Sequence, residues 1–464
     1  MEIVEKSKVG LSPDSHNAWK PAQNAGFHIP PATVAASTIK ANAAEPLESR
    51  GFTDSRAEPD FVAHAATRDI IIRLEEYMLN SIVTLKIGFF QVPVLLLALT
   101  AVISMDVPAQ DQGASNSSSS GTWKFAVSGD SRNCGNIVMP AIAQGVLKDG
   151  AAFYWHLGDY RAIYMFDEDF RQANPNAVIS DYLNAAWPDF IQHQLEPFRD
   201  LPVFLALGNH EMIPPKSRAE AIQQFADWFD APVLRRQRLA DNPADHLLKT
   251  YYHWIDRGVD FITMDNASPD QFDLDQMAWF ASVLQAAARN PDIRTVVLGM
   301  HASLPGGLST GHSMNDSPQQ QESGQQVYTQ LVNFRRATRK NVYVLASHSH
   351  FVLNNIYATA CHPGEDVLPG WIMGSAGAVR YRLPQDHKAA DVAMTDVYGY
   401  LLATVSRDGT ISFEFRQIDE PDVPREVVKE FSRPQVHWCF AENKSPFVPA
   451  GASCSLPATS GTAQ

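Results

Sequence analysis

Five short apolar runs in this chain each stop at a polar turn that carries a carboxylate, an amide or an imidazole, and this repetition constrains the fold more than any other feature. Residues 201–207 (LPVFLAL) have the length and unbroken apolar character of a buried strand, and Gly208, Asn209, His210 and Glu211 follow at its carboxyl end. The other four runs end at Asp130, at Asp159, at His301, and at Ser347 with His348, Ser349 and His350. Open α/β sheets bind ligands at the carboxyl ends of their strands. One such turn alone has a structural explanation as good as a functional one, with Asn209 supporting the backbone. Five in order do not. Carboxylate oxygen, amide oxygen and imidazole together suit Zn, Mn or Fe, and no Cys pair stands at zinc-finger spacing.

Between these runs, residues 137–147, 178–198, 219–229, 274–288 and 325–338 carry apolar residues at helical spacing, which gives an α/β order. Asp273 or Asp275 is placed to cap the fourth helix, with Met277, Phe280 and Leu284 as its buried stripe. Two strand-like runs, 398–405 and 410–415, close the domain, expected over residues 123–420, and a C-terminal extension covers 421–464.

The ordered motifs, an Asp turn at Asp130, Gly158-Asp159, the Gly208–Glu211 stretch, a lone His301 and Ser347-His348-Ser349-His350, resemble the calcineurin-like metallophosphoesterase superfamily, which includes the purple acid phosphatases. The resemblance runs over about residues 124–415. It implies an α/β fold, a sandwich of two mixed β-sheets flanked by α-helices. It also implies two metal ions of the Fe, Zn or Mn type: Asp159 bridging, Asp130 and His350 completing the first site, and Asn209, His301 and His348 the second. Such a pair activates water for in-line attack on a phosphate ester. His210 would then stabilise the phosphate or protonate the leaving oxygen, and Glu211 would orient that imidazole. A phosphomonoester is the first expectation for the substrate and a phosphodiester the second, with a non-catalytic metal-binding protein or a structural protein as the remaining alternatives.

Two positions depart from the family pattern. Many relatives have a ligand His two residues after the first Asp, where this chain has Arg132, and the Tyr ligand of purple acid phosphatases falls in register with Ala162. A purple tyrosinate is therefore not expected, and water or Tyr160 is left to fill the first site. Arg132 and Arg161, each two residues beyond an aspartate, are candidate phosphate contacts, with salt bridges as the competing reading. His312 is a candidate substrate contact from the loop after His301, and His156 is expected to be a packed core residue.

Upstream of this domain, residues 1–77 are rich in Ala and Pro and poor in aromatics, and are expected not to fold independently. Residues 78–109 have the layout of a secretory signal, with an uncharged run at 87–105 and small residues around Pro108, which makes Met78 the expected start. A membrane anchor through 87–105 is the alternative, although Gln91 and Pro93 interrupt it. A Ser-rich linker follows over 110–122. All four cysteines lie beyond the signal, as in an oxidising compartment. Three pairings are possible, of which Cys439 with Cys454 and Cys134 with Cys361 is favoured. A formal net charge of −14 argues against general nucleic-acid binding, which needs a basic stripe.

Overall fold

In the first strand, β1 (Trp123–Ser128), alternate side chains separate two environments: Phe125 and Val127 enter one apolar cluster and Ala126 another. That division holds for the whole domain. The computed structural model describes residues 121–267, 272–308, 312–315, 317–452 and 454. The expected tail, signal and anchor run, and all but the last two residues of the linker, lie outside the described residues.

The further strands are β2 (Tyr154–His156), β3 (Val203–Leu205), β4 (Tyr252–Asp256), β5 (Val259–Thr263), β6 (Thr295–Gly299), β7 (Asn341–Ala346), β8 (Val352–Asn354), β9 (Gly370–Met373), β10 (Ala393–Met394), β11 (Tyr398–Val405) and β12 (Ile411–Ile418). They form two mixed sheets, a five-stranded one in the order β12-β11-β1-β2-β3 and a seven-stranded one in the order β10-β8-β9-β7-β6-β5-β4. The expected α/β sandwich is the observed fold. Between the sheets, Phe125 and Phe153 each meet Phe261 edge-on with ring centroids 5.1 Å apart, and Trp155 meets Trp254 at 5.3 Å. Burying side chains of this size contributes about 1.5–3 kcal/mol apiece. The outer faces are covered by helices, chiefly Gly135–Asp149 on the first sheet and Leu274–Arg289 with Pro318–Thr338 on the second.

Local chemistry sets the helix boundaries. Asp273 caps its helix by accepting from the Gln276 N–H at 2.7 Å, and Phe280 and Leu284 are buried beneath a half-buried Met277. The helix expected over 178–198 is α-helical only over Ile179–Phe190, then widens into a π turn and ends in a 3-10 turn at Pro197, which has no N–H to give. The one expected over 219–229 is broken at Phe225 into Arg218–Gln224 and Ala226–Phe229. The helix expected from 325 begins at Pro318, capped by Ser317. Among the described residues, no helix is long and apolar enough to cross a membrane.

The disulfides differ from the favoured pairing: Cys134 joins Cys439, and Cys361 joins Cys454. Cys439 lies in the helix Arg433–Ala441, which packs against the first sheet's helical layer where Cys134 begins the helix Gly135–Asp149. Beyond that helix the chain does not fold back on itself. Asn443 donates to the Gly377 carbonyl at 3.1 Å, Arg380 donates to the Phe440 carbonyl at 2.9 Å, and the segment then leads to Cys361, beyond β8 of the other sheet. Non-reducing digestion is expected to release a peptide joining Cys134 to Cys439. Removing that bridge, for example by Cys439→Ser, is expected to lower stability by about 2–5 kcal/mol in chemical denaturation.

Candidate metal centre

Every expected ligand lies at the carboxyl end of a strand. Asp130 follows β1, Asp159 follows β2, Asn209 sits on a 3-10 turn after β3, His301 follows β6, and His348 with His350 follows β7. Strands β1, β2 and β3 are parallel neighbours in one sheet, and β6 and β7 in the other, so the centre lies where the ends of both sheets meet. Asp130, Asp159 and His348 adopt left-handed backbone conformations (φ 60°, 59° and 65°), which non-glycine residues hold only where the surroundings compel it. Gly158 and Gly208 make this tight crossing possible. A Cβ on Gly158 would come within 2.4 Å of the Gly208 nitrogen, and one on Gly208 within 2.2 Å of Asp159 Oδ1.

Asp130, Asp159, His301 and His348 present ligand atoms that all lie within 4.8 Å of one another. His301 Nε2 is 3.2 Å from Asp159 Oδ1 and 3.0 Å from Asn209 Oδ1, which adds the amide to the group. Asp130 Oδ1, Asp159 Oδ2 and His348 Nδ1 are buried and make no hydrogen bond. Buried polar atoms without a hydrogen bond are rare, and three of them on side chains of one such cluster fit a bound cation. The protonation states agree. Burial works against ionising Asp159, but His210, His301 and Arg132 hold it well below the usual carboxylate range, and at Asp130, against the same burial, His350 lowers the pKa. Burial keeps His348 neutral, reinforced by His301 and His312. Only His301 differs: burial pulls its pKa down, but Asp159 outweighs this and carries it up to about 9, so a metal ion here displaces a proton.

The surrounding residues fix the rings. His301 Nδ1 donates to the Leu157 carbonyl at 2.9 Å, and Ser347, standing where the family has Gly, bonds the same carbonyl at 2.8 Å. His350 Nδ1 donates to the Val379 carbonyl and His210 Nδ1 to the Ala162 carbonyl, both at 2.7 Å. Each ring is thereby left with Nε2 facing inward. Glu211 does not orient His210, contrary to expectation. Its carboxylate accepts from the backbone N–H groups of Gly208, Asp159 and Tyr160 at 2.7–2.9 Å, and so ties two ligand turns together. Burial and the nearby Asp159 charge push its pKa up to about 8 against those donors.

The three candidate substrate contacts part company. Arg132 is at the centre, with Nε 3.5 Å from Asp159 Oδ2 and Nη2 3.1 Å from His350 Nε2. His312 reaches it as well, its ring 5.0 Å from that of His348. Arg161 does not: it is fully buried and paired with Asp167 at 2.9 Å, Asp169 at 3.3 Å and Asp189 at 2.8 Å. That cluster is structural, and burial pushes Asp169 up to about 7 despite the guanidinium beside it. Arg161→Leu would leave the carboxylates without their cation and is expected to cost about 3–5 kcal/mol in denaturant melts, with metal content unchanged. Tyr160 is no ligand either, since its hydroxyl donates to the Ala206 carbonyl at 2.7 Å and its ring stacks on Phe190. His156 is in the core, bonded to Ser131 Oγ at 2.9 Å.

Two aromatic residues at the site are not among the expected site residues. Tyr381 stacks on His350 with centroids 4.1 Å apart, and the exposed Tyr164 lies 5.3 Å from the His210 ring. Tyr164 stands two residues beyond Ala162, out of register with the tyrosine ligand of purple acid phosphatases, and nothing about the spacing of Tyr381 marks it.

A model of the calcineurin-like phosphoesterase family matches residues 137–351. No curated protein sequence matches the chain. Among solved structures, that of PhoD is similar with a TM-score of 0.42 and 15% identity, over 69% of this chain and 77% of the other. Purple acid phosphatase PPD1 from yellow lupin (Lupinus luteus) seeds gives a TM-score of 0.44 and 15% identity, over 64% of this chain and 52% of its own. The family match spans Asp159, Asn209, His301, His348 and His350, five of the six expected ligands, and supports the expected assignment of this chain to the calcineurin-like phosphoesterases.

Proposed function

We propose that this protein is an exported, metal-dependent hydrolase of phosphate esters that prefers monoesters to diesters. The observation that carries the reading is the convergence of Asp130, Asp159, His301 and His348 within 4.8 Å, with the imidazole of His210 alongside. A metal ion held by these residues supplies Lewis acidity toward the phosphate and acidifies water. The chain's own groups do the rest. Arg132 offers a planar guanidinium to phosphate oxygens, and Asp159, held by His301 and the His210 N–H, keeps its charge at the centre of the site. His210, held through Nδ1, holds or delivers a proton at Nε2 to the departing oxygen. Export is supported by the pairing of all four cysteines and by the signal-like layout of residues 78–109.

Hydrolysis of a chromogenic phosphomonoester and the matching diester by the purified protein, stripped of metal and then supplied with Mn, Zn or Fe, tests this reading. Metal-dependent release of the chromophore, faster from the monoester, is the expected result. A faster diester reaction would make the protein a phosphodiesterase, and bound metal with no turnover of either ester would make it a binding protein.

A further inference from the structure

We propose that Arg132 takes the place of the first metal ion, so that this centre binds one metal per chain and carries a fixed guanidinium where its relatives carry a second ion. The proposal rests on the metal-site reading above. By family resemblance the first ion would lie among Asp130, Asp159 and His350. In this chain the Arg132 guanidinium spans that space, with Nε 3.5 Å from Asp159 Oδ2 and Nη2 3.1 Å from His350 Nε2. It does not reach in from solvent: Arg132 is buried, and it adjoins Tyr381, whose ring stacks on His350.

The charges are consistent with this placement. Asp159 and Asp130 are both fully buried, and two carboxylates taken out of water need cations beside them. One divalent ion among Asp130, Asp159, Asn209, His301 and His348 and one guanidinium between Asp159 and His350 supply them. A second divalent ion would have to sit against the guanidinium in a low-dielectric site, where like charges repel strongly. His350 agrees as well. Its Nε2 faces the Arg132 nitrogen and Asp130 Oδ1, and it falls outside the cluster of mutually close ligand atoms.

Metal content after removal and reloading with Mn²⁺ gives the test, read by elemental analysis and by electron paramagnetic resonance, in which a coupled pair and a lone Mn²⁺ have different spectra. The wild-type protein is expected to hold about one ion per chain with an uncoupled spectrum, and Arg132→His about two with a coupled one. Two coupled ions in the wild type would overturn the proposal, as would a folded Arg132→His protein that still holds one. His350→Ala provides a check that leaves Arg132 in place. It is expected to retain the single ion, whereas losing one of two ions would again overturn the proposal. Ester hydrolysis measured on the same samples keeps the two readings apart. Two ions with turnover would defeat this proposal and leave the hydrolase standing, and one ion without turnover would do the reverse.

Discussion

Asp159→Asn is expected to empty the metal centre and reduce ester turnover by more than about a hundredfold, since even changes to groups one layer behind a metal commonly cost 10- to 100-fold. The reason lies in how many groups face this one carboxylate. Asp159 Oδ1 is 3.2 Å from His301 Nε2 and accepts the His210 N–H at 3.1 Å, and Oδ2 faces Arg132 Nε at 3.5 Å. An amide of the same shape removes the charge and turns an NH₂ toward a neighbour that also donates. Metal content by elemental analysis and turnover on a phosphate ester should fall together. Undiminished metal would mean that Asp159 is not a ligand.

The pH dependence of stability in the metal-free protein separates this explanation from misfolding. Asp159 has a depressed folded pKa, so its contribution is present above its unfolded value near 3.8 and disappears as pH falls through the lower folded value. His301 has a raised one, so its contribution is complete below 6.5 and disappears as pH rises through about 9. Wild-type stability should therefore decline between pH 6.5 and about 9 as well as in acid. In Asp159→Asn, with the anion gone that raises His301, the alkaline decline should shrink. Denaturant midpoints across that range measure it.

The ligands were legible in the sequence for a local reason: each lies within a few residues of the strand that carries it, and an apolar run followed by a polar turn records both. Strand β11 was equally plain, beginning and ending where the apolar run does. Distant partners leave no such mark. Arg132 and Arg161 have the same sequence signature, two residues beyond an aspartate, yet one reaches the metal centre and the other is held away from it by Asp167, Asp169 and Asp189. Asp189 comes from a separate helix, and no spacing rule connects it to Arg161. The cysteines repeat the lesson. Cys439 and Cys454 make a plausible short loop, but the residues between them run from one sheet's helical layer toward the other. Apolar spacing marks the helix Pro318–Thr338 only from 325, because its first turns (PQQQESG) are polar and carry no apolar stripe, although Ser317 supplies a cap there. In the same way adjacency pairs Glu211 with His210, whereas its carboxylate binds the Gly208 N–H of its own turn and the Asp159 N–H of the turn after β2.

His210→Ala is expected to lower turnover about 100- to 10,000-fold on an alkyl phosphate, much less on a nitrophenyl phosphate, and to leave metal content unchanged. A carbonyl can only accept, so the bond of 2.7 Å to Ala162 places a proton on His210 Nδ1, and the neutral ring has a bare Nε2 facing the site. Only the imidazolium can donate from Nε2. Burial pulls the ring's pKa down to about 4, outweighing the pull of Asp159 in the other direction. The donating form therefore grows as pH falls toward about 4, and turnover of alkyl esters should rise over that range for as long as the metal stays bound. In His210→Ala this acid limb should be absent, and hydrolysis of the nitrophenyl ester, whose leaving group departs without a proton, should depend little on the substitution. Metal content measured at each pH separates loss of the acid from loss of the ion. Equal losses on both esters with the acid limb preserved would instead make His210 a phosphate-binding group, its contribution set by position rather than by a transferable proton.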